Sequence, residues 1–205
     1  VTYEKLEDGI EKWYTYDNMG QVTSTKVKKG EDLEETITTT YRYEDVDIYR
    51  GKGSDTVSVN NAYVVKETYG DGTILSETYK DHKGNVVRVY ENGLYTDMTY
   101  NSQGDMVTKW LMGKTLSATD GLLELYIYDD KGNLTATVTD PDYVTGTETT
   151  GYYVRPDSTD EDGNETQGSI VTESKYDSDG NVTESTDPLG NTTKYTYGTN
   201  GDLLS

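Results

Sequence analysis

A tyrosine followed four residues later by a glycine recurs along this chain, and a recurring unit limits the fold more tightly than local propensity does, because every copy must be built alike. The pair stands at Tyr16 and Gly20, Tyr100 and Gly104, Tyr128 and Gly132, Tyr176 and Gly180, and Tyr197 and Gly201. Each glycine is followed two residues later by Val, Met or Leu. A looser copy, Tyr79 to Gly84, carries one extra residue before its glycine. The anchors at 79 and 100, and again at 176 and 197, are 21 residues apart. The longer steps, 100 to 128 and 128 to 176, read as insertions and one degenerate unit whose turn expands over Asp157 to Asn164.

Between the glycines the chain alternates apolar and polar residues, as in Tyr63 to Tyr69, Asn85 to Tyr90 and Leu123 to Tyr128. A period of two predicts half-buried strands. The breaks Gly70-Asp71-Gly72, Glu91-Asn92-Gly93 and Asp129 to Gly132 are short enough for hairpins, so each unit supplies two strands of an antiparallel meander. The predicted fold is all-β, a repetitive hairpin sheet. Composition agrees: 20 Tyr, no Phe and only 32% hydrophobic residues suit a thin pleated surface and leave little for a thick core.

At Tyr128-Asp129-Asp130-Lys131-Gly132 and Tyr176-Asp177-Ser178-Asp179-Gly180 the unit resembles the RHS/YD repeat, a family named for its Tyr-Asp-Xaa-Xaa-Gly core. The resemblance is strongest over 79–205, read as well-kept repeats. It weakens over 1–78, read as divergent repeats with an insertion, the two parts forming one continuous array. The resemblance implies a strand-rich sheet coiled into a spiral or shell wall, within a large secreted or cell-surface bacterial protein, in some cases around a toxic cargo domain. The expected partners are then the remainder of the parent polypeptide, including its export signal, and a cargo domain. Open sheet edges add a tendency to self-association.

The formal charge of −20 repels phosphate backbones and anionic lipid heads, which argues against nucleic-acid and membrane-surface partners. No apolar run approaches the ~20 residues of a membrane helix. With no Cys there is neither a disulfide framework nor a thiolate site.

Chemical sites are few. Trp13 and Trp110 lie off the repeat period and are the candidates for stacking on glycans, the basis of a rival reading as an adhesion module; the periodic tyrosines read as cross-strand packing. Asp160 and Asp162 make a weak calcium candidate, since an EF-hand register through them places Ser158 first and Ser169 last, where acidic ligands belong. His82, the sole histidine, sits in a turn with no nucleophile elbow nearby. Asp187-Pro188-Leu189-Gly190 has the flavour of the self-cleavage signature of RHS toxins, but it lies inside a repeat and reads as a turn. The expectation is a non-catalytic chain without a cofactor.

Overall fold

The computed structural model describes residues 1–7, 9–29, 33–51, 56–116, 121–140, 158–159, 165–166 and 170–205. The candidate calcium residues Asp160 and Asp162 lie outside these.

The strands are β1 (Thr2–Lys5), β2 (Ile10–Tyr16), β3 (Val22–Lys29), β4 (Leu33–Tyr49), β5 (Thr56–Tyr69), β6 (Ile74–Lys80), β7 (Val86–Glu91) and β8 (Leu94–Tyr100). They continue with β9 (Met106–Met112), β10 (Gly121–Tyr128), β11 (Leu134–Asp140), β12 (Ser158–Thr159), β13 (Glu165–Thr166), β14 (Ile170–Tyr176), β15 (Val182–Thr186) and β16 (Thr192–Lys194). Fourteen form one open sheet whose order follows the chain, and β12 pairs with β13 apart from it. The antiparallel meander read from the alternation is the fold. The weakly repetitive stretch after Gly30 holds the two longest strands, β4 with 17 residues and β5 with 14, where the other strands of the sheet have eight or fewer.

Two compact units divide the chain. The first comprises Val1–Asp47 and Ser58–Tyr95. Its buried residues include Ala62 and Val64 on β5, Glu77 and Tyr79 on β6, and Val87 and Arg88 on β7. Glu77 and Tyr79 are two apart and therefore share a face of β6. The second comprises Ile48–Val57 and Thr96–Ser205. Its core gathers Ile48, Thr108, Trp110, Met112, Leu123, Ala136 and Val138, with Asp97 fully buried and accepting the Tyr49 N–H at 2.8 Å. Trp110 faces Leu123 across β9 and β10, and its indole lies over Gly121 so closely that a Cβ there would stand 2.7 Å from the ring. Glycine at 121 leaves the space in which the largest side chain of this core is seated.

Candidate functional site

One turn closes most hairpins, and its chemistry explains the repeat signature. In Asp17 to Gln21 the Gly20 N–H donates to the Asp17 carbonyl and the Asp17 N–H donates to the Gln21 carbonyl, with Gly20 at φ +82°. This is a three-residue hairpin loop, a type I turn followed by a left-handed residue, and the left-handed residue is why the position is glycine. The same pair of backbone bonds recurs at Leu6, Tyr69, Asp81, Asn101, Asp129, Asp177, Asp187 and Gly198. Six of these turns displace the ladder by one residue at the anchor: the register shifts at Tyr16, Thr68, Lys80, Tyr100, Tyr128 and Tyr176.

The aspartate that opens the turn is an acceptor for its own loop. Asp177 Oδ1 takes the N–H groups of Asp179 and Asn181, each at 2.9 Å, while Oδ2 takes the Asn181 side-chain amide at 2.9 Å. Asp81 with Asn85, Asp129 with Asn133 and Asp187 with Asn191 repeat this arrangement. At Asn101 and Asp105 the two residue types trade places and the contact survives, the Asn101 amide donating to Asp105 at 3.0 Å. The asparagine side chain, then the backbone N–H groups, hold the carboxyls of Asp129, Asp177 and Asp187 below the usual aspartate range.

A depressed folded-state pKa means that the unfolded chain binds the proton more readily. The stabilisation is therefore complete above the unfolded value of about 3.9 and is lost as pH falls through the folded value. We expect the melting-temperature gap between the native chain and a variant carrying Asn133→Ala, Asn181→Ala and Asn191→Ala to be constant from pH 8 to 5 and to narrow below about pH 4. A gap that does not narrow below about pH 4 would contradict this role for the aspartates.

The anchor tyrosines reach beyond their own hairpins. Tyr128 Oη donates to the Met106 carbonyl at 3.1 Å, Tyr176 Oη to Leu134 at 2.8 Å and Tyr197 Oη to Val182 at 2.8 Å. Each of these three acceptors is the residue two after a preceding glycine of the signature, so a side chain ties each of these hairpins to an earlier one. In the first unit Tyr41 does the same to Val22 at 2.7 Å, although no Tyr-to-Gly turn follows it. Replacing Tyr176 with Phe keeps the ring and deletes the donor, and it should cost about 1 kcal/mol in urea unfolding. An unchanged midpoint would mean that water serves the Leu134 carbonyl equally well.

The structure separates the remaining candidates. The turn after Tyr79 has the ordinary length: it opens at Asp81, and Lys80 stands in the anchor's place. Tyr79 therefore faces the opposite side, buried, and lies between Arg42 and Arg88, whose guanidinium carbons are 5.8 and 5.9 Å from its ring centre. Burial first, then the carboxylates of Glu77 and Glu44, push its phenol well above the usual range. Tyr16 is 43% exposed. Trp110, offered by its position as a sugar platform, has no accessible surface, which removes it as a glycan contact; it is a core residue. Trp13 is half-buried against Tyr3, with ring centres 5.4 Å apart, across the β1–β2 pair. His82 belongs to the exposed Asp81 turn, where it lines a cleft with Tyr43, Asn61, Tyr63, Lys80 and Lys83. Among the described residues no three His, Cys, Asp or Glu gather as a metal site requires.

An antiparallel meander closed by one recurring turn and stitched by tyrosine-to-carbonyl bonds defines a strand-repeat protein. Over residues 176–205 the chain matches the family model of the RHS repeat. That stretch contains the Asp177 turn and the Tyr197 stitch, and the same turn and stitch recur upstream of it. No curated protein matches the sequence. Among solved structures, the chain is similar to "Crystal Structure of TcdB2-TccC3 without hypervariable C-terminal region" at 13% identity and TM-score 0.47, over 96% of this chain and 9% of that one. It is similar also to a Photorhabdus luminescens Tc holotoxin pore at 12% identity and TM-score 0.31, over 95% of this chain and 13% of that one. The chain thus spans about a tenth of the length of the proteins it matches.

Proposed function

We propose that this chain is a structural wall segment of a larger exported bacterial protein, one stretch of an RHS-repeat sheet that encloses or presents another domain of the same polypeptide. The observation that carries the reading is the tyrosine stitch, which at Tyr128, Tyr176 and Tyr197 joins a hairpin to an earlier one through a backbone carbonyl and so lets the array lengthen without a new core. A wall needs a thin layer with stable seams, and the low hydrophobic content, the single sheet and the self-satisfied turns all suit it. In this role the chain does no chemistry, and its partner is the rest of the parent protein.

The test uses the intact parent polypeptide under limited proteolysis. The enclosed domain should resist cleavage, and it should become accessible when Tyr128, Tyr176 and Tyr197 are together replaced by Phe. Equal cleavage of that domain with and without this repeat segment would overturn the wall reading.

A further inference from the structure

The β7–β8 hairpin carries two tyrosines that take no part in the stitches. We propose that Tyr90 and Tyr95 are a modification site, coupled by a one-electron oxidant into a dityrosine that closes this hairpin covalently. With no Cys the chain can form no disulfide, and its 20 Tyr leave the phenol as the side chain through which a covalent tie can be made.

The turn sets the geometry. β7 and β8 are neighbours in the sheet, joined by Asn92 and Gly93 at φ +53° and +80°. Left-handed residues at both central positions make the two-residue type I′ turn, which places Tyr90 directly opposite Tyr95. Their ring centres are 4.7 Å apart at an interplanar angle of 49°, closer than the 5.3, 5.4 and 6.2 Å of the other described ring pairs. Directly opposed residues are held side by side by the ladder itself, so the two rings need no chance encounter to react.

The hydroxyls decide which pair reacts. A neutral phenol gives up a proton as it gives up an electron, and the proton needs somewhere to go. Burial first, then the Tyr90 phenol, raise the Tyr95 phenol above its usual range, so it meets an oxidant in the neutral form. Both side chains are only half-buried, and neither hydroxyl has a hydrogen-bond partner among the described residues, so water receives the protons. The other tyrosine pairs both use Tyr63, whose hydroxyl accepts the Gln21 amide at 2.8 Å, a bond that draws electron density from the ring. Tyr41, Tyr128, Tyr176 and Tyr197 donate their protons to carbonyls, which are too weak as bases to take them away.

Each phenol loses one electron and one proton. The two radicals join through ring carbons ortho to oxygen, one C–C bond forms, and the hydrogen on each of those carbons moves to its oxygen as aromaticity returns. The two electrons and two protons released convert one hydrogen peroxide into two waters when a haem peroxidase is the oxidant. The link spans the exposed tip at Glu91 and Asn92, so a hairpin cut there stays in one piece. The inference stands on the hairpin alone and not on the wall reading.

The purified chain, dilute enough for links within a molecule to dominate, should be treated with a haem peroxidase and hydrogen peroxide and then cleaved after Arg, Lys and Glu. Residues 89–91 should be found joined to residues 92–109, with a mass two hydrogens below the sum of the separate peptides and the link at Tyr95. Tyr100 is as far from Tyr95 in sequence as Tyr90 is, but it lies five residues, roughly 16 Å, along the same strand. Linking to Tyr90 should therefore exceed linking to Tyr100 at least tenfold in the folded chain, and urea should abolish the preference. Tyr90→Phe and Tyr95→Phe keep both rings and should each lower the joined peptide at least tenfold at an unchanged melting temperature, whereas Tyr43→Phe should leave it as it is. Absence of the joined peptide from a chain whose other tyrosines are oxidised, equal linking of Tyr95 to Tyr90 and Tyr100 in the folded chain, or coupling between chains alone would each overturn the assignment.

Discussion

Trp110→Ala is expected to lower the unfolding free energy by about 3–5 kcal/mol, seen as a large drop in the urea midpoint, because truncating a fully buried aromatic loses its transfer energy and leaves a void. The neighbouring glycine makes a sharper test. A Cβ at Gly121 would meet Trp110 Cζ2 at 2.7 Å, Trp110 Cε2 at 2.8 Å and the Leu111 carbonyl oxygen at 2.7 Å. Gly121→Ala should therefore cost about 1–3 kcal/mol by overpacking. With Trp110 already replaced by Ala, two of the three clashes are gone and only the backbone contact remains. The second substitution should then cost clearly less than it does in the native background. Strict additivity in this cycle would show that the indole does not lie on Gly121 as described.

The same pair of residues marks how far the sequence could be read. The period of two and the glycine punctuation sufficed for the antiparallel meander, because both are local properties of the backbone: alternation follows from the pleat, and glycine from a left-handed turn position. The apolar residue two after each glycine was visible as part of the signature. Its carbonyl as the acceptor for the next tyrosine was not, since that bond joins residues such as Leu134 and Tyr176, which are separated by an insertion. Tyr41 stitches without the glycine that would have flagged it. Standing off the repeat period leaves Trp110 open to two readings, a glycan platform or a packing residue. Yet β9 buries alternate residues, and Thr108, Trp110 and Met112 fall on its buried face. Pattern alone cannot say which face of a thin sheet is covered. The turn after Tyr79 lies one residue from where the Tyr-to-Gly spacing puts it, for a related reason. The tyrosine is not the invariant: the backbone bonds fix the residue that opens the turn and the glycine three residues on, and leave the anchor open to Lys80 or Thr68. The cleft joins residues near 43, 61 and 82, three places no short motif connects.

Glu77 is the second position at which a large effect is expected, and the sign of the paired variants tells why the charge is there. Its carboxylate is almost wholly buried and accepts Arg42 Nη2 at 2.6 Å, while Arg42 holds Glu44 through a second pair of bonds at 2.8 and 3.0 Å. Glu77→Ala leaves the Arg42 guanidinium beside the Tyr79 ring without that carboxylate. Breaking a buried pair costs about 3–5 kcal/mol, but the Arg42 side chain is 35% exposed and water recovers part of its solvation, so a loss of about 2–3 kcal/mol is expected. Glu77→Gln keeps the shape and one acceptor and should fall between Ala and the native chain. The combined Arg42→Met and Glu77→Met variant removes both charges and replaces them with apolar volume, which should recover most of the loss seen with Glu77→Ala. If the combined variant is instead as unstable as Glu77→Ala, the burden lies in the contacts of Tyr79 with Arg42, including the Arg42-to-Tyr79 hydrogen bond at 3.3 Å, and the Arg42–Glu77 ion pair is secondary.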